Sequence, residues 1–263
     1  MNDANKLLLK IIEDRFRKFQ KSYSVVTTDF LDMTQGSLAE PFVRSHQSEG
    51  TYLYGGYEDA ERRMVVYVPD YLGVANFDEL CQYFAENSED CPIAILDVTI
   101  KQKGVTLKHS DYLGSLLSLG IKREKTGDIM VHETGAQIFV AAEIAEYLAE
   151  NYFKAGRIPL EAKVKPVSEL VKTEANIKEI RTSIPSPRLD NAISAAFDVS
   201  IKAAVEAINR GIVFVDNVEN KKPDYTLKGG EKLVLRGKGK AIYKGTSGTS
   251  KKGKLYANFD RYI

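Results

Sequence analysis

The chain has 263 residues, enough for one large domain or two to three small ones, and 43% of them are hydrophobic and 28% charged, which is typical of a folded, soluble protein. No stretch approaches the ~20 consecutive apolar residues that a membrane-spanning helix needs. The charged N-terminal segment lacks the apolar core of a signal peptide, so the sequence predicts a cytoplasmic protein without a membrane partner.

The net charge of +1 conceals two different halves. Residues 181–263 contain 16 Lys and Arg against 8 Asp and Glu, a net charge of +8, whereas residues 1–180 contain 21 against 28, a net charge of −7. Between Glu231 and Asp260 there are eight lysines and arginines and no acidic residue. The basic half therefore predicts a polyanionic partner.

Residues 1–75 are predicted to form an N-terminal α/β region. Apolar residues at a period of 3.6 predict a helix from Asn5 to Ser22. A short apolar strand at Met64–Val68, ended by Pro69, follows the glycine-rich segment Tyr54–Tyr57.

Residues 76–168 are predicted to form a middle domain. The predicted elements are a helix at Phe77–Glu86, a strand at Ile93–Ile100, a helix at Ser110–Leu119, strands at Ile129–His132 and Ala136–Val140, a helix at Ala142–Phe153, and a strand at Leu160–Val167. From the first strand onward the order is β-α-β-β-α-β, the ferredoxin-like pattern. RNA-binding domains of the RRM type share this layout with many unrelated proteins, so the pattern alone is weak evidence of function.

Residues 181–240 are predicted to form a small C-terminal domain. Ser186 as N-cap and Pro187 at the first helical position predict a helix from Arg188 to Phe197. A second helix, Ile201–Arg210, is ended by Gly211, and the strands Ile212–Val215, Tyr225–Leu227 and Lys232–Arg236 follow. Residues 241–263 are interpreted as a basic tail, with Leu255–Tyr262 as a candidate final strand. Lysines and arginines of this end are candidate phosphate contacts: Arg236, Lys238, Lys240, Lys251 and Lys252.

A spaced motif links the two predicted helices. It consists of Arg188, Leu189, Asp190, Ile193, Phe197, Ser200, Ala204, Ile208 and Gly211, and it resembles the RNA-binding domain named after small-subunit ribosomal protein S-four, the alpha-L motif. The resemblance implies that two helices and the adjoining strand lie against the RNA backbone, with Arg188, Lys202, Arg210, Lys221 and Lys222 as contact residues. The family commonly has Ser-Arg-x-Lys where this chain has Ser200-Ile201-Lys202-Ala203, so two cations are missing. As an alternative, Arg188 and Asp190 form a local ion pair and the lysines are a solvated face.

Longer stretches resemble the bacterial YlmH family. They are residues 108–129, residues 54–63, Gly135-Ala136-Gln137 and residues 249–254, and the likeness extends over nearly the whole chain. It implies an N-terminal region, an RRM-like middle domain and a C-terminal alpha-L domain. It also implies an association with the large ribosomal subunit and with translation stalled on peptidyl-tRNA. Genes of this family often lie among cell-division genes.

The middle domain offers a second group of cations. Lys108, His109, Lys122, Arg123 and Lys125 surround one predicted helix and the loop after it, and they are predicted to form a second RNA contact. The equally weighted alternative is an exposed loop in which Glu124 pairs locally. Phe139, the one aromatic residue on a central strand, is interpreted as a core residue and not as a base-stacking residue.

No catalytic constellation is evident in the sequence. The histidines His46, His109 and His132 have no cysteine or carboxylate at metal-ligand spacing, and no nucleophile elbow or P-loop occurs. Cys81 and Cys91 match no metal or redox spacing. The prediction is a protein without enzymatic activity, cofactor, metal or small-molecule substrate.

Taken together, these features predict an α+β protein that binds structured RNA, above all ribosomal RNA of the large subunit, in translation or ribosome quality control. Whether tRNA is also contacted is left open. Two alternatives remain: a cell-division-associated scaffold protein, and the targeting module of an RNA-modifying enzyme.

Overall fold

The computed structural model describes residues 3–171, 177–249 and 253–262. It divides into two compact units, Met1–Lys172 and Thr173–Ile263. Helices and antiparallel sheets occur in both units, so the mixed α+β class is confirmed. Within the described ranges, no helix is long and apolar enough to cross a membrane.

The first unit begins with two helices and a small sheet. The elements are α1 (Asp3–Ser22), β1 (Val26–Thr27), α2 (Met33–Ser45), β2 (Thr51–Tyr54) and β3 (Met64–Tyr67), with strand order β1-β3-β2. Helix α1 buries Ile12, Phe16 and Phe19, spaced along one helical face. Helix α2, which was not predicted, begins at a capping box between Asp32 and Gln35.

The rest of the first unit is a second, larger sheet with helices. It comprises α3 (Phe77–Glu86), β4 (Ile93–Ile100), α4 (His109–Ser118), β5 (Thr126–His132), β6 (Gly135–Ala141), α5 (Ala142–Asn151), β7 (Lys154–Ala155) and β8 (Ile158–Lys165). The strand order is β5-β6-β4-β8-β7, antiparallel throughout. Every element predicted between residues 77 and 165 is present, and the short β7 is added.

Both faces of this sheet are covered around its central strands. On one face Leu96 and Ile138 pack in a cluster with residues of α4 and α5. On the other face Ile95 and Phe139 pack with Tyr54 and with residues of α3. Because both faces are buried, β6 is buried over its whole length.

The second unit is a six-stranded sheet with two helices. Its elements are β9 (Ile177–Ile184), α6 (Leu189–Phe197), α7 (Ile201–Asn209), β10 (Val213–Val215), β11 (Val218–Glu219), β12 (Lys232–Leu235), β13 (Gly239–Thr249) and β14 (Leu255–Tyr262). The strand order is β11-β10-β12-β13-β14-β9. Both helices pack on one face, where Ile193, Phe197 and Ile208 share a core with Leu233 and Phe259.

The structure corrects three expectations for this unit. Residues 239–249 form a strand of the sheet where a basic tail was expected, and they pair with residues 255–262, the candidate final strand, which is confirmed as β14. Residues 177–184, where no strand was predicted, form β9, which pairs with β14 over its full length. Residues 225–227 form a loop whose Thr226 makes an isolated bridge with Arg188, and not a regular strand.

Candidate nucleic-acid interface

The start of α6 holds Arg188 in a defined position. The guanidinium donates through Nη2 to Asp190 Oδ2 at 2.7 Å and through Nε to Oδ1 at 3.2 Å. The Asp190 side chain is only 9% exposed, whereas that of Arg188 is 45% exposed. Hydrogen bonding to this carboxylate raises the pKa of Arg188. The ion pair between Arg188 and Asp190, which was the alternative interpretation, is therefore present. It also orients the exposed part of the Arg188 guanidinium toward solvent.

Helix α7 exposes the two positions at which the family commonly has cations. Ser200 caps the helix by accepting a hydrogen bond from the Ala203 backbone N–H at 3.1 Å. Ile201, Lys202 and Ala203 are all exposed, and Ile201 is 50% exposed despite being apolar. This helix surface therefore carries one cation, Lys202, in its first turn.

The loop after β11 lies between the end of α7 and the start of α6. At Gly211, where φ is +70°, a Cβ would lie 2.2 Å from Glu219 Oε1 and 2.9 Å from Lys221 Cε, so these two side chains lie directly over the glycine. Farther along the loop, the carbonyl of Pro223 accepts a hydrogen bond from the Asp190 N–H at 3.0 Å. The loop therefore brings Lys221 and Lys222 between the two helix ends.

The turn between β12 and β13 approaches the same place. The Arg236 N–H donates to the carbonyl of Ile212, the residue after Gly211, at 3.0 Å. These contacts gather six exposed cations at one edge of the unit, which we call the cationic rim: Arg188, Arg210, Lys221, Lys222, Arg236 and Lys238. Lys221 is paired with Glu219 at 2.7 Å, and the Arg236 guanidinium lies 5.7 Å from the Phe214 ring centroid.

The other predicted contact residues lie outside the rim. Lys202 is at the opposite end of α7 from Arg210, about 12 Å away along the helix axis. Lys240 lies on β13, with Nζ 4.8 Å from the centroid of the Tyr262 ring. Lys251 and Lys252 lie outside the described residues.

Two of the five cations predicted as a second RNA contact have structural partners instead. Arg123 turns inward and donates to the carbonyls of Thr126 at 2.7 Å and Gly127 at 3.2 Å. Burial, with the neighbouring Arg62, lowers the pKa of Arg123 to about 10. Lys125 forms ion pairs with Asp29 and Glu143. Among the described residues Glu124 forms no ion pair, so the local pairing expected of it is not found.

The remaining three residues are open to solvent. Lys108 precedes α4, His109 opens it, and Lys122 follows it; all three are exposed. A second contact at this end of α4 stays a prediction, reduced to these three residues.

Two of the stretches that resemble the family, residues 54–63 and residues 108–129, are hydrogen-bonded to each other through Asp128. Asp128 accepts hydrogen bonds from Tyr57 Oη at 2.8 Å, from the Glu61 N–H at 2.7 Å and from the Arg62 N–H at 3.1 Å. Arg62 Nε in turn donates to the Thr126 carbonyl at 2.9 Å. Burial together with Asp128 raises the pKa of Tyr57, which therefore stays protonated as a donor.

Phe139 is confirmed as a core residue. It is fully buried, its ring centroid lies 5.1 Å from that of Tyr57, and a Cβ on Gly56 would lie 2.6 Å from the ring. An RRM reads unpaired bases with aromatic side chains on an open sheet face. Here that part of the face is covered, so base stacking on Phe139 is excluded.

One polar surface of the second unit was not predicted from the sequence. On the sheet face opposite α6 and α7, Arg181 of β9 lies over Tyr256 of β14, with the guanidinium carbon 5.2 Å from the ring centroid. The strand at 255–262 was predicted, but its partner at 177–184 was not, so their shared outer face could not be inferred from the sequence.

Comparison with known proteins gives a family match and similarities to characterised chains. Residues 86–169 match the family described as "Putative RNA-binding domain in YlmH". The "Ribosome-associated protein quality control protein P2" of Bacillus subtilis (strain 168) is 26% identical over 245 residues, covering 93% of this chain and 90% of that protein. The solved "Cell division protein ylmH from Streptococcus pneumoniae" is 20% identical, with a TM-score of 0.48, covering 65% of this chain and 97% of that one.

The fold and the family match define an α+β protein whose middle region is an RNA-binding-type domain. The resemblance to this family indicated by residues 54–63 and 108–129 is thereby confirmed.

Proposed function

We propose that this protein binds structured RNA of the ribosome, that its second unit holds the RNA by the phosphate backbone, and that it does so without catalysing a reaction. The observation that carries the proposal is the cationic rim, because four separate chain segments converge to place six exposed cations at one edge. Such contacts position an RNA helix and add little base readout.

The finer assignment is that the second unit is an alpha-L domain and the middle sheet is RRM-like. The motif residues Leu189, Ile193, Phe197, Ala204 and Ile208 support the first part, since all five are buried in the core beneath α6 and α7. The strand order β5-β6-β4-β8 supports the second. The Arg188–Asp190 pair leaves a guanidinium edge available, and arginine forks suit phosphate oxygens.

The proposed target is ribosomal RNA of the large subunit, with a role in handling stalled ribosomes in the cytoplasm. The support is the name of the B. subtilis relative, which describes a ribosome-associated quality control protein, together with the charge of +8 on residues 181–263. We include tRNA as a candidate second contact, because a stalled large subunit carries peptidyl-tRNA.

Co-sedimentation with purified large ribosomal subunits tests this function. The full chain is compared with residues 1–172 at low and moderate salt, which is a fair comparison because each unit has its own hydrophobic core. We expect the full chain to pellet, the truncated chain to stay in solution, and salt to release the full chain, since counterion release drives phosphate contacts.

Other outcomes reject parts of the proposal. If both chains pellet equally, the first unit makes the main contact. If neither pellets, the ribosomal assignment fails. A cellular association that survives nuclease treatment would then favour the scaffold alternative.

A further inference from the structure

The outer face of the second unit's sheet has its own chemical character. Side chains alternate between the two faces of a strand, and Ala257 and Phe259 of β14 point into the core beneath the helices. Tyr256, Asn258 and Tyr262 therefore lie on the opposite, outer face. Asn258 stands directly across from Arg181 of β9, and Tyr256 across from Ser183.

Two tyrosine rings on this face are each accompanied by a cation. The Arg181 guanidinium lies 5.2 Å from the Tyr256 centroid, and Lys240 Nζ lies 4.8 Å from the Tyr262 centroid. Both rings are half-buried and Arg181 is exposed. The two tyrosines are six residues apart on one strand, a separation of about 20 Å.

Polar groups lie between and beside the rings. Asn258 Nδ2 donates to Ser247 Oγ at 3.0 Å, and Lys244 pairs with Asp260 at 3.4 Å. With Ser183, these side chains supply amide, hydroxyl and ammonium groups suited to base edges, ribose hydroxyls and phosphates. Aromatic rings interspersed with cations favour single-stranded nucleic acid over a protein or a lipid surface, because each ring can stack a base while the cations hold the backbone.

We propose that the outer face of β13, β14 and β9 is a stacking platform for unpaired RNA nucleotides. Tyr256 and Tyr262 stack bases, and Arg181 and Lys240 contact the phosphates beside them. The proposal rests on the proposed function, since it presupposes an RNA partner. It assigns to this partner an unpaired segment in addition to the helical backbone that the cationic rim holds.

The test measures two probes with the full chain by fluorescence anisotropy: a uridine oligonucleotide of about a dozen residues, and an RNA hairpin with a fully paired stem of similar length. The test variant combines Tyr256→Leu with Tyr262→Leu, which removes the rings and keeps apolar bulk. The matched control combines Tyr71→Leu with Tyr147→Leu, two exposed tyrosines of the first unit.

We expect the test variant to bind the oligonucleotide roughly tenfold more weakly than the control variant does, and to bind the hairpin equally well. Arg181→Gln, which leaves both rings in place, is expected to weaken oligonucleotide binding severalfold. With a 4-thiouridine oligonucleotide, ultraviolet crosslinks are expected on the peptides that contain Tyr256 or Tyr262.

Unchanged oligonucleotide affinity in the test variant, or an equal loss for both probes, overturns the platform. If the unaltered protein binds the hairpin and not the oligonucleotide, the platform fails while the proposed function stands. If it binds neither probe and does not pellet with ribosomal subunits, both fail.

Discussion

At the scale of single residues, the charged groups of this protein divide by what they contact. Arg123 and Lys125 lie in a basic loop, yet their partners are backbone carbonyls and carboxylates of the first unit. Lys222 and Lys238 are exposed at the cationic rim. A cation that already binds protein groups has few hydrogen-bond donors left for a phosphate. Lys222 and Lys238 are therefore better candidates for RNA contact than Arg123 and Lys125.

Reversing rim charges should weaken RNA binding. We expect Lys222→Glu combined with Lys238→Glu to lower the affinity for the paired RNA hairpin. The variant should also show a shallower salt dependence: the slope of log affinity against log salt should fall by roughly 0.7 to 0.9 for each phosphate that is no longer neutralised. Titrations at several salt concentrations measure both quantities.

The control for this pair is Lys18→Glu combined with Lys103→Glu, which makes the same change in net charge on exposed residues of the first unit. An equal loss of affinity in the control would mean that binding follows overall charge, and the rim would lose its assignment.

Asp128 is expected to be a stability residue without a part in binding. Asp128→Ala removes the acceptor for three donors at once, and we expect it to lower the free energy of unfolding by about 3 kcal/mol. Urea denaturation of the full chain measures this change. Glu58→Ala, an exposed neighbour, should shift it by less than about 0.5 kcal/mol. A similar small shift for Asp128→Ala would contradict the locking role.

At the scale of elements, α7 presents a surface with fewer cations than its family pattern. Ile201 and Ala203 are exposed while Ala204, Ala207 and Ile208 face the core. The missing charges are therefore not replaced by packing interactions, and the helix can accept polar residues at both positions.

Restoring these charges should strengthen binding. We expect Ile201→Arg combined with Ala203→Lys to tighten binding of the paired RNA hairpin severalfold at low salt and to steepen its salt dependence, because each new phosphate contact releases counterions. The comparison variant is Ile201→Gln with Ala203→Gln, which makes the positions polar without charge. Equal affinity of the two variants would show that α7 does not face the RNA backbone.

At the scale of the whole molecule, each unit has its own core. The cluster around Phe197 and Phe259 contains residues of the second unit alone, and the clusters around Phe139 and Tyr67 contain residues of the first. Two self-contained cores predict that damage to one leaves the other folded.

Phe259→Ala tests this independence. Phe259 is 1% exposed, so its truncation should destabilise the second unit by about 3–5 kcal/mol. We expect hydrogen exchange measured by mass spectrometry to show reduced amide protection across residues 177–249 and retained protection in β4 and β6. RNA binding should weaken in parallel. A uniform decrease of protection in both units would contradict independent cores.

Much of this protein could be predicted from local sequence. In residues 93–165, short apolar runs bounded by turn residues, with helical periods between them, were sufficient for all predicted elements to be found. The start of α7 at Ile201 was predicted, and Ser200 caps it within one turn. The excess of positive charge in residues 181–263 is also evident from the sequence alone.

Long-range pairing and packing required the tertiary structure. Strand β9 is polar on one face, and its partner β14 lies more than seventy residues away, so no local pattern indicated it. The inward turn of Arg123 depends on carbonyls that only the folded chain brings within reach. The cationic rim forms because a loop and a turn converge beside Gly211. Local periodicity and capping are encoded in neighbouring residues, whereas the assembly of a site depends on contacts between segments far apart in sequence.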